Sequence, residues 1–123
     1  MTDKVVDASA VAAIIYREPT SLDVRASLRG MSLLAPDLIG YELANACVKK
    51  IRAAPIERSD LLIAFQSYKS LAIQEVSVDK EGAAALACDK GISLYDASYL
   101  WLAKNLGVEL VTLDQRLAKA AQA

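Results

Sequence analysis

The most informative absence in this sequence of 123 residues is histidine, which does not occur at all. Without an imidazole, the chain cannot build a Ser-His-Asp or Cys-His catalytic site, use a histidine general base, or bind zinc through histidine. The 5 glycines are isolated from one another, which excludes the glycine-rich loop of a nucleotide-binding site. Any chemistry must therefore rest on carboxylates, hydroxyls, lysines, or a metal ion held by oxygen atoms.

Cysteine is nearly absent as well. The chain has only Cys47 and Cys88, which are too few and too far apart for a C-x-x-C redox pair or a four-thiolate zinc site. We expect both to be small buried side chains on helices, and one long-range disulfide between them is the alternative.

Long apolar runs are also missing. The longest, 10–16, falls well short of the roughly 20 residues that span a bilayer, and charged residues interrupt the first apolar positions. The composition is 54% hydrophobic and 24% charged, which is typical of a compact domain. The net charge of −1 gives no basic footprint of a nucleic-acid-binding protein. We predict a single cytoplasmic domain over residues 1–123, with no membrane association.

Four short apolar segments alternate with helical segments along the chain. Because these strands are apolar throughout, they are typical of a parallel sheet covered on both faces. The sequence predicts a three-layer α/β/α domain with a short central parallel sheet of four, or at most five, strands. The predicted strands are 4–7, 32–35, 73–78 and 108–112, and the predicted helices are 8–16, 20–30, 36–53, 59–72, 79–90, 93–106 and 113–121.

Four acidic residues could gather at the edge of the sheet where ligands of such folds bind, at the carboxyl ends of the strands. Asp7 and Asp114 directly follow strands, whereas Glu42 and Asp96 lie on helices. Each also has a structural interpretation. Asp7 and Asp114 could cap helices, Asp96 could belong to a capping box that begins at Ser93, and Glu42 could be a solvated acid. Both interpretations stay open for every one of the four.

Taken together, the four acids favour a metal site. Two carboxylates about 4 Å apart repel each other by roughly 4 kcal/mol at an effective dielectric constant near 20, so such a cluster must bind protons or cations. A ligand set made only of oxygen atoms selects Mg²⁺ or Mn²⁺ over zinc. A divalent ion activates water and shields the charge of a phosphate, which suits phosphodiester hydrolysis.

The acids stand in the segments VVDASA, YELANA, SLYDASYLWLA and LVTLDQRLA. In order and spacing these segments resemble the motif series of the PIN domain, and most closely that of the VapC toxins of toxin–antitoxin pairs. The resemblance implies an Mg²⁺- or Mn²⁺-dependent ribonuclease that hydrolyses RNA by metal-activated water. It also implies a homodimer and a small antitoxin protein of the VapB type as partner. It places the catalytic and metal-binding residues at Asp7, Glu42, Asp96 and Asp114, with support from Ser9 and Thr112. We add Asn45 as a supporting residue that steadies Glu42.

Two departures from the family pattern concern the end of the chain. Many relatives continue into a final edge strand, whereas this sequence ends at Ala123. Relatives often have an arginine directly after the last acid, whereas here Gln115 precedes Arg116. We expect the first difference to affect stability and the second to affect substrate positioning.

A basic group near the end of the third helix is a candidate for contact with RNA. It comprises Lys49, Lys50 and Arg52, with Arg58 nearby, and its alternative is the solvated end of an amphipathic helix. The aromatic residues give indirect support for a protein interface, although core packing is the simpler interpretation of each. They are Tyr16, Phe65, Tyr68, Tyr99 and Trp101.

Two other functions remain as alternatives. The first keeps the fold but drops the toxin role, as an RNA-processing nuclease or an inactive metal-binding protein. The second is a non-enzymatic receiver-like signalling module, which would need paired acids after the first strand and an aspartate ending the third. The sequence has a lone Asp7 after the first strand and reaches Asp79 only after Val78.

Overall fold

A four-stranded parallel sheet forms the centre of the molecule. The computed structural model describes residues 2–122. Its strands are β1 (Asp3–Val6), β2 (Ser32–Pro36), β3 (Gln74–Val76) and β4 (Glu109–Val111), in the order β3-β2-β1-β4. The predicted α/β class and parallel sheet are confirmed, with four strands among the described residues.

The helices come in two groups that follow from this strand order. They are α1 (Ala8–Ile15), α2 (Ser21–Leu28), α3 (Ile39–Ala53), α4 (Arg58–Gln66), α5 (Lys80–Lys90), α6 (Leu94–Leu106) and α7 (Gln115–Gln122). The chain moves outward from β1 to β3 and then returns to β4 on the other side of β1. Right-handed crossovers therefore place α1 to α4 on one face of the sheet and α5 and α6 on the other. Helix α7, which follows β4, packs against α6. Where this direction reverses, between β1 and β4, their carboxyl ends form the crevice that binds ligands in such folds.

The strands differ in burial according to their position in the sheet. In β1, Val5 pairs with Leu34 of β2 and with Leu110 of β4, and its side chain is completely buried. At the edge, Gln74 and Glu75 of β3 are exposed, which explains their polar character. Strand β1 is thus hydrogen-bonded on both sides, to β2 and β4, and this pairing holds the residue that follows it, Asp7, in position.

Two helices end at glycines, as the sequence predicts, whereas the predicted helix over 59–72 is only partly correct. Gly91 and Gly107 end α5 and α6 with a φ of +66°, the left-handed conformation that glycine adopts most easily. The predicted helix over 59–72 is α-helical only to Gln66 and continues as 3₁₀ turns over Ser67–Leu71. There the hydroxyls of Ser67 and Ser70 donate to the carbonyls three residues earlier, an alternative to regular α-helical bonding.

The core explains most of the apolar composition. Its largest fully buried side chains include Tyr99, Ile39, Leu43, Leu100 and Leu117. The other four aromatic residues considered above are half-buried against this core, as core packing predicts.

The two cysteines have different environments. Both are free, so the alternative of a disulfide between them is wrong. Cys47 is buried, as predicted, but Cys88 is exposed on α5, on the opposite side from the buried Ala83. No helix within residues 2–122 is both long enough and apolar enough to cross a membrane.

The contact between α5 and α6 depends on the absence of a side chain at Gly82. A Cβ atom there would lie 2.6 Å from Trp101 Nε1 and 3.0 Å from Asp79 Oδ2. We expect Gly82→Ala to lower the free energy of unfolding by about 1–3 kcal/mol, because the indole ring has to move. Gly40 of α3 is the matched control, since nothing lies within 4 Å of its Cβ position. Gly40→Ala should raise stability by about 0.5–1 kcal/mol, and urea unfolding of both variants measures the difference. Equal effects would mean that Trp101 does not restrict position 82.

Candidate active site

Asp7 is the most constrained acid of the molecule. It follows β1 directly and is only 4% exposed. Its Oδ1 atom accepts hydrogen bonds from Ser9 Oγ at 2.7 Å and from the Ala10 amide at 3.0 Å, and its Oδ2 atom accepts one from Thr112 Oγ1. The bond from Ala10 makes Asp7 the N-cap of α1, so the capping interpretation is correct. Capping alone does not account for this environment. A helix cap needs only one carboxylate oxygen and no burial, whereas both oxygens of Asp7 accept hydrogen bonds and the side chain is buried.

The end of β4 is joined to Asp7 through two hydroxyl groups. Thr112 Oγ1 donates to Asp7 and accepts from the Asp114 amide at 3.0 Å. Ser9 Oγ donates to Asp7 and accepts from the Leu113 amide at 2.9 Å. These paired bonds hold the segment that carries Asp114 against the end of β1. Ser9 and Thr112, which were predicted as supporting residues, thus both contact Asp7.

Asp114 directly precedes α7 and is half-buried. Its Oδ1 atom accepts hydrogen bonds from the amides of Arg116, at 2.9 Å, and Leu117, at 3.2 Å. The predicted box from Thr112 to Gln115 therefore differs in detail, since Asp114 itself caps the helix. No residue within 2–122 donates a hydrogen bond to its Oδ2 atom.

Glu42 reaches the site from the first turn of α3. Its Oε1 atom accepts a 2.6 Å hydrogen bond from the hydroxyl of Tyr99, a buried residue of α6. Glu42 is half-buried, so the interpretation as a fully solvated acid is wrong. Tyr99 is the site residue that sequence reasoning missed, because its spacing after Asp96 also fits a core position. The available signal was that a buried tyrosine hydroxyl needs a hydrogen-bond partner.

Asp96 lies in the first turn of α6 and is half-buried. Ser93 Oγ accepts a 3.0 Å hydrogen bond from its amide, which is the first half of the predicted capping box. The nearby Arg116 donates from Nη2 to the Gly91 carbonyl at 3.1 Å. Its positive charge is close enough to lower the pKa of Asp96, although burial and neighbouring acids outweigh it.

Electrostatic coupling shows that the four acids share one region. Burial raises the pKa of Asp7 above its ordinary value, and the charge of Asp114 raises it further. Burial also raises the pKa of Glu42, with additional contributions from Asp96 and Asp7. For Asp96 the causes of the raised pKa are burial, then Asp114, then Asp7. The structure therefore brings the predicted acids together as a partly desolvated group of like charges.

These raised pKa values predict how the metal-free protein responds to pH. A carboxyl whose pKa is higher in the folded than in the unfolded state binds more protons when folded, so its contribution to stability falls as pH rises. The fall begins near the ordinary values of 3.8 for Asp and 4.5 for Glu and ends above the raised values. In EDTA we expect thermal midpoints, followed by circular dichroism, to fall from about pH 4 toward neutrality. The Asp7→Asn variant should show a shallower fall, and an equally steep one would contradict this assignment.

The donor chemistry of the group fits a hard divalent cation. All of its ligating atoms are oxygens, and a positive ion would relieve the repulsion among the acids. Within residues 2–122, however, no three acidic or cysteine side chains are arranged so that they could hold a metal ion as they stand. The acidic group therefore suits a divalent cation in its type of ligand atom and in its charge. The carboxylate side chains would have to move to coordinate the ion together.

Four predicted residues of α3 lie apart from the acidic group. Asn45 is exposed on α3 and, within residues 2–122, makes no hydrogen bond to Glu42. Lys50 is held by Glu18, at 3.4 Å, and its Nζ lies 5.2 Å from the centre of the Tyr16 ring. Lys49 and Arg52 are exposed on another side of the same helix. The basic group of the sequence is thus divided between two environments.

The molecule is thus an α/β protein with an acidic crevice at the carboxyl ends of β1 and β4, and this combination is the one expected for a PIN domain. The family model of the PIN domain matches residues 4–123, and the chain belongs to this family. The predicted family is therefore confirmed, and the receiver-like alternative is excluded.

Similar proteins agree with this assignment. The chain is 37% identical over 120 residues to Ribonuclease VapC3 of Pyrobaculum aerophilum, with 94% of this chain and 92% of that protein covered. It is 31% identical to Ribonuclease VapC9 of Mycobacterium tuberculosis, over 97% and 91% of the two chains. The crystal structure of PAE2754 from Pyrobaculum aerophilum has the same fold, with a TM-score of 0.77 at 24% identity. The superposition covers 98% of this chain and 87% of the PAE2754 chain.

Proposed function

We propose that this protein is a ribonuclease that hydrolyses RNA phosphodiester bonds at the acidic crevice. The observation that carries the proposal is the convergence of Asp7, Glu42, Asp96 and Asp114 at the ends of β1 and β4, in a chain related to VapC ribonucleases. Without histidine, the chain has no imidazole to act as general base. The carboxylates are the groups in the crevice that can accept a proton from an attacking water.

We propose Mg²⁺ or Mn²⁺ as the cofactor, held by Asp7, Asp96 and Asp114, with Glu42 completing the group. When bound, the ion would supply the positive charge that makes water a better nucleophile and shields the phosphate. Three neighbouring side chains position the acids. Thr112 and Ser9 keep Asp7 oriented, and Tyr99 holds Glu42 in place.

The proposal extends to the partners. As in the VapC toxins that the sequence resembles, we propose that the chain is the toxin of a VapBC-type pair, that a small antitoxin inhibits it, and that it forms a homodimer. Support for a protein interface comes from large apolar side chains that are strongly exposed, namely Leu22, Ile56 and Ile63. An RNA-processing role would use the same crevice without an antitoxin.

Cleavage of labelled single-stranded RNA tests the catalytic proposal. We expect the purified protein to cut the RNA with Mg²⁺ or Mn²⁺ and to be inactive in EDTA. Cleavage that persists undiminished in EDTA would contradict the metal-dependent mechanism, and absence of cleavage under all conditions would contradict the enzymatic role.

Controlled expression in host cells tests the toxin role separately. We expect the wild-type chain to arrest growth and the Asp7→Asn variant to leave growth unchanged. Active enzyme that does not slow growth would favour the RNA-processing role instead.

A further inference from the structure

One face of α3 leads away from the acidic crevice and combines an aromatic side chain with positive charges. Tyr41, Asn45, Lys49 and Arg52 follow one another at spacings of four, four and three residues, so they form one stripe along the helix. All four are exposed, and Tyr41 is 84% exposed. The stripe is about 16 Å long, because the helix rises about 1.5 Å per residue.

Tyr41 is the residue of the stripe that lies nearest along the chain to a site acid. Tyr41 directly precedes Glu42, whose carboxylate is anchored to Tyr99 in the crevice. The exposed ring of Tyr41 offers a flat surface on which a nucleic-acid base can stack. Tyr95 is also exposed beside a site acid, at 59%. On its own face of α6, however, the following residues Ser98, Tyr99 and Leu102 are buried, so that face does not continue across the surface.

The cations of the stripe are free to bind an external group. Among residues 2–122, neither Lys49 nor Arg52 forms an ion pair or side-chain hydrogen bond. Their neighbour Lys50, in contrast, is held by Glu18 and Tyr16. An exposed aromatic residue followed by two unpaired cations matches the two features that bind single strands, which are a stacking surface for bases and positive charges for phosphates.

We propose that the stripe of Tyr41, Asn45, Lys49 and Arg52 binds the single-stranded RNA next to the bond that is cut. Tyr41 stacks on a base beside the crevice, and Lys49 and Arg52 contact phosphates farther along the strand. The inference rests on the proposed ribonuclease function and identifies the surface that holds the RNA strand beside the crevice. It also removes Lys50 from the group of RNA-binding residues.

Fluorescence anisotropy with a labelled single-stranded RNA of about 12 nucleotides tests this inference. Measurements in EDTA separate binding from metal-dependent cleavage. We expect Tyr41→Ala to weaken binding about 5- to 150-fold and Tyr41→Phe to preserve it, since stacking needs only the ring. The double variant Lys49→Gln/Arg52→Gln should reduce the slope of log K against log salt by about 1.4, or about 0.7 for each phosphate contact.

The matched control removes two other exposed positive charges, in Lys80→Gln/Lys104→Gln. An equal loss of affinity in this control would mean that only the net charge matters, and would overturn the inference. Photocrosslinking of RNA that contains 5-iodouridine should label Tyr41.

Three further outcomes are distinguishable. If the α3 variants bind RNA as the wild type does but change the sedimentation coefficient, the stripe is a protein interface and the inference is wrong. If the wild type does not cleave RNA with Mg²⁺ or Mn²⁺, the proposed function fails, whatever the binding shows. If the wild type cleaves RNA but the α3 variants bind RNA as well as the wild type does, the RNA-binding role of the stripe is wrong and the ribonuclease function stands.

Discussion

Replacing Asp7 with Asn should reduce RNA cleavage by at least about a thousand-fold while leaving the protein folded. The amide keeps one oxygen atom that can accept the capping bond from Ala10, and asparagine is as good an N-cap as aspartate. The negative charge at the centre of the crevice disappears, and the amide nitrogen, which cannot accept the bond from Thr112 Oγ1, can donate to that oxygen instead. Single-turnover cleavage rates measure the loss.

The same substitution should not weaken the metal-free fold. Burial raises the pKa of Asp7, which means that its charged form is disfavoured in the folded state. Removing that charge should leave the thermal midpoint in EDTA equal to or above that of the wild type. Asp3→Asn is the control, because Asp3 is exposed at the opposite end of the same strand. Substantial activity in Asp7→Asn, or an equal loss in Asp3→Asn, would contradict a catalytic role for Asp7.

The second large effect is expected for Tyr99→Phe, which should lower the cleavage rate about 10- to 100-fold, as the loss of a group that orients a metal ligand does. The ring stays in the core, so only the 2.6 Å bond to Glu42 is lost. A bond to a charged group is worth about 1.5–3 kcal/mol, so stability should fall by a similar amount.

Tyr68→Phe is the matched control for this prediction. It removes the same hydroxyl from a tyrosine that donates to Glu75 on β3 at 2.7 Å. We expect this control to cleave RNA at the wild-type rate. If both variants lose activity equally, the effect of Tyr99 is a general one on the fold and not an effect on Glu42.

Local pattern predicted the candidate acids because Asp7 and Asp114 stand at element boundaries, whereas Glu42 and Asp96 lie in the first turns of helices. Asp7 and Asp114 follow strands of a parallel sheet, and the topology of such sheets brings strand ends together. The pattern could not decide between cap and site, and in the structure Asp7 and Asp114 are caps as well as members of the acidic group. For these residues the two interpretations were never exclusive.

What the sequence did not predict involves partners that are distant along the chain. Tyr99 meets Glu42 across 57 residues, and Lys50 meets Glu18 across 32. No local periodicity contains such pairings, because they depend on how helices pack across the sheet. The exposure of Cys88 has the same origin, since the side of α5 that faces α6 was not evident from an alanine-rich helix. The single domain over residues 1–123 remains a prediction.

If the four acids form one divalent-ion site, titration calorimetry with Mn²⁺ should detect it. We expect saturable binding to the wild type, normal binding to Asp3→Asn, and binding to Asp7→Asn that is at least about ten-fold weaker. Equal Mn²⁺ affinity in the wild type and Asp7→Asn, or no binding to the wild type, would contradict such a site.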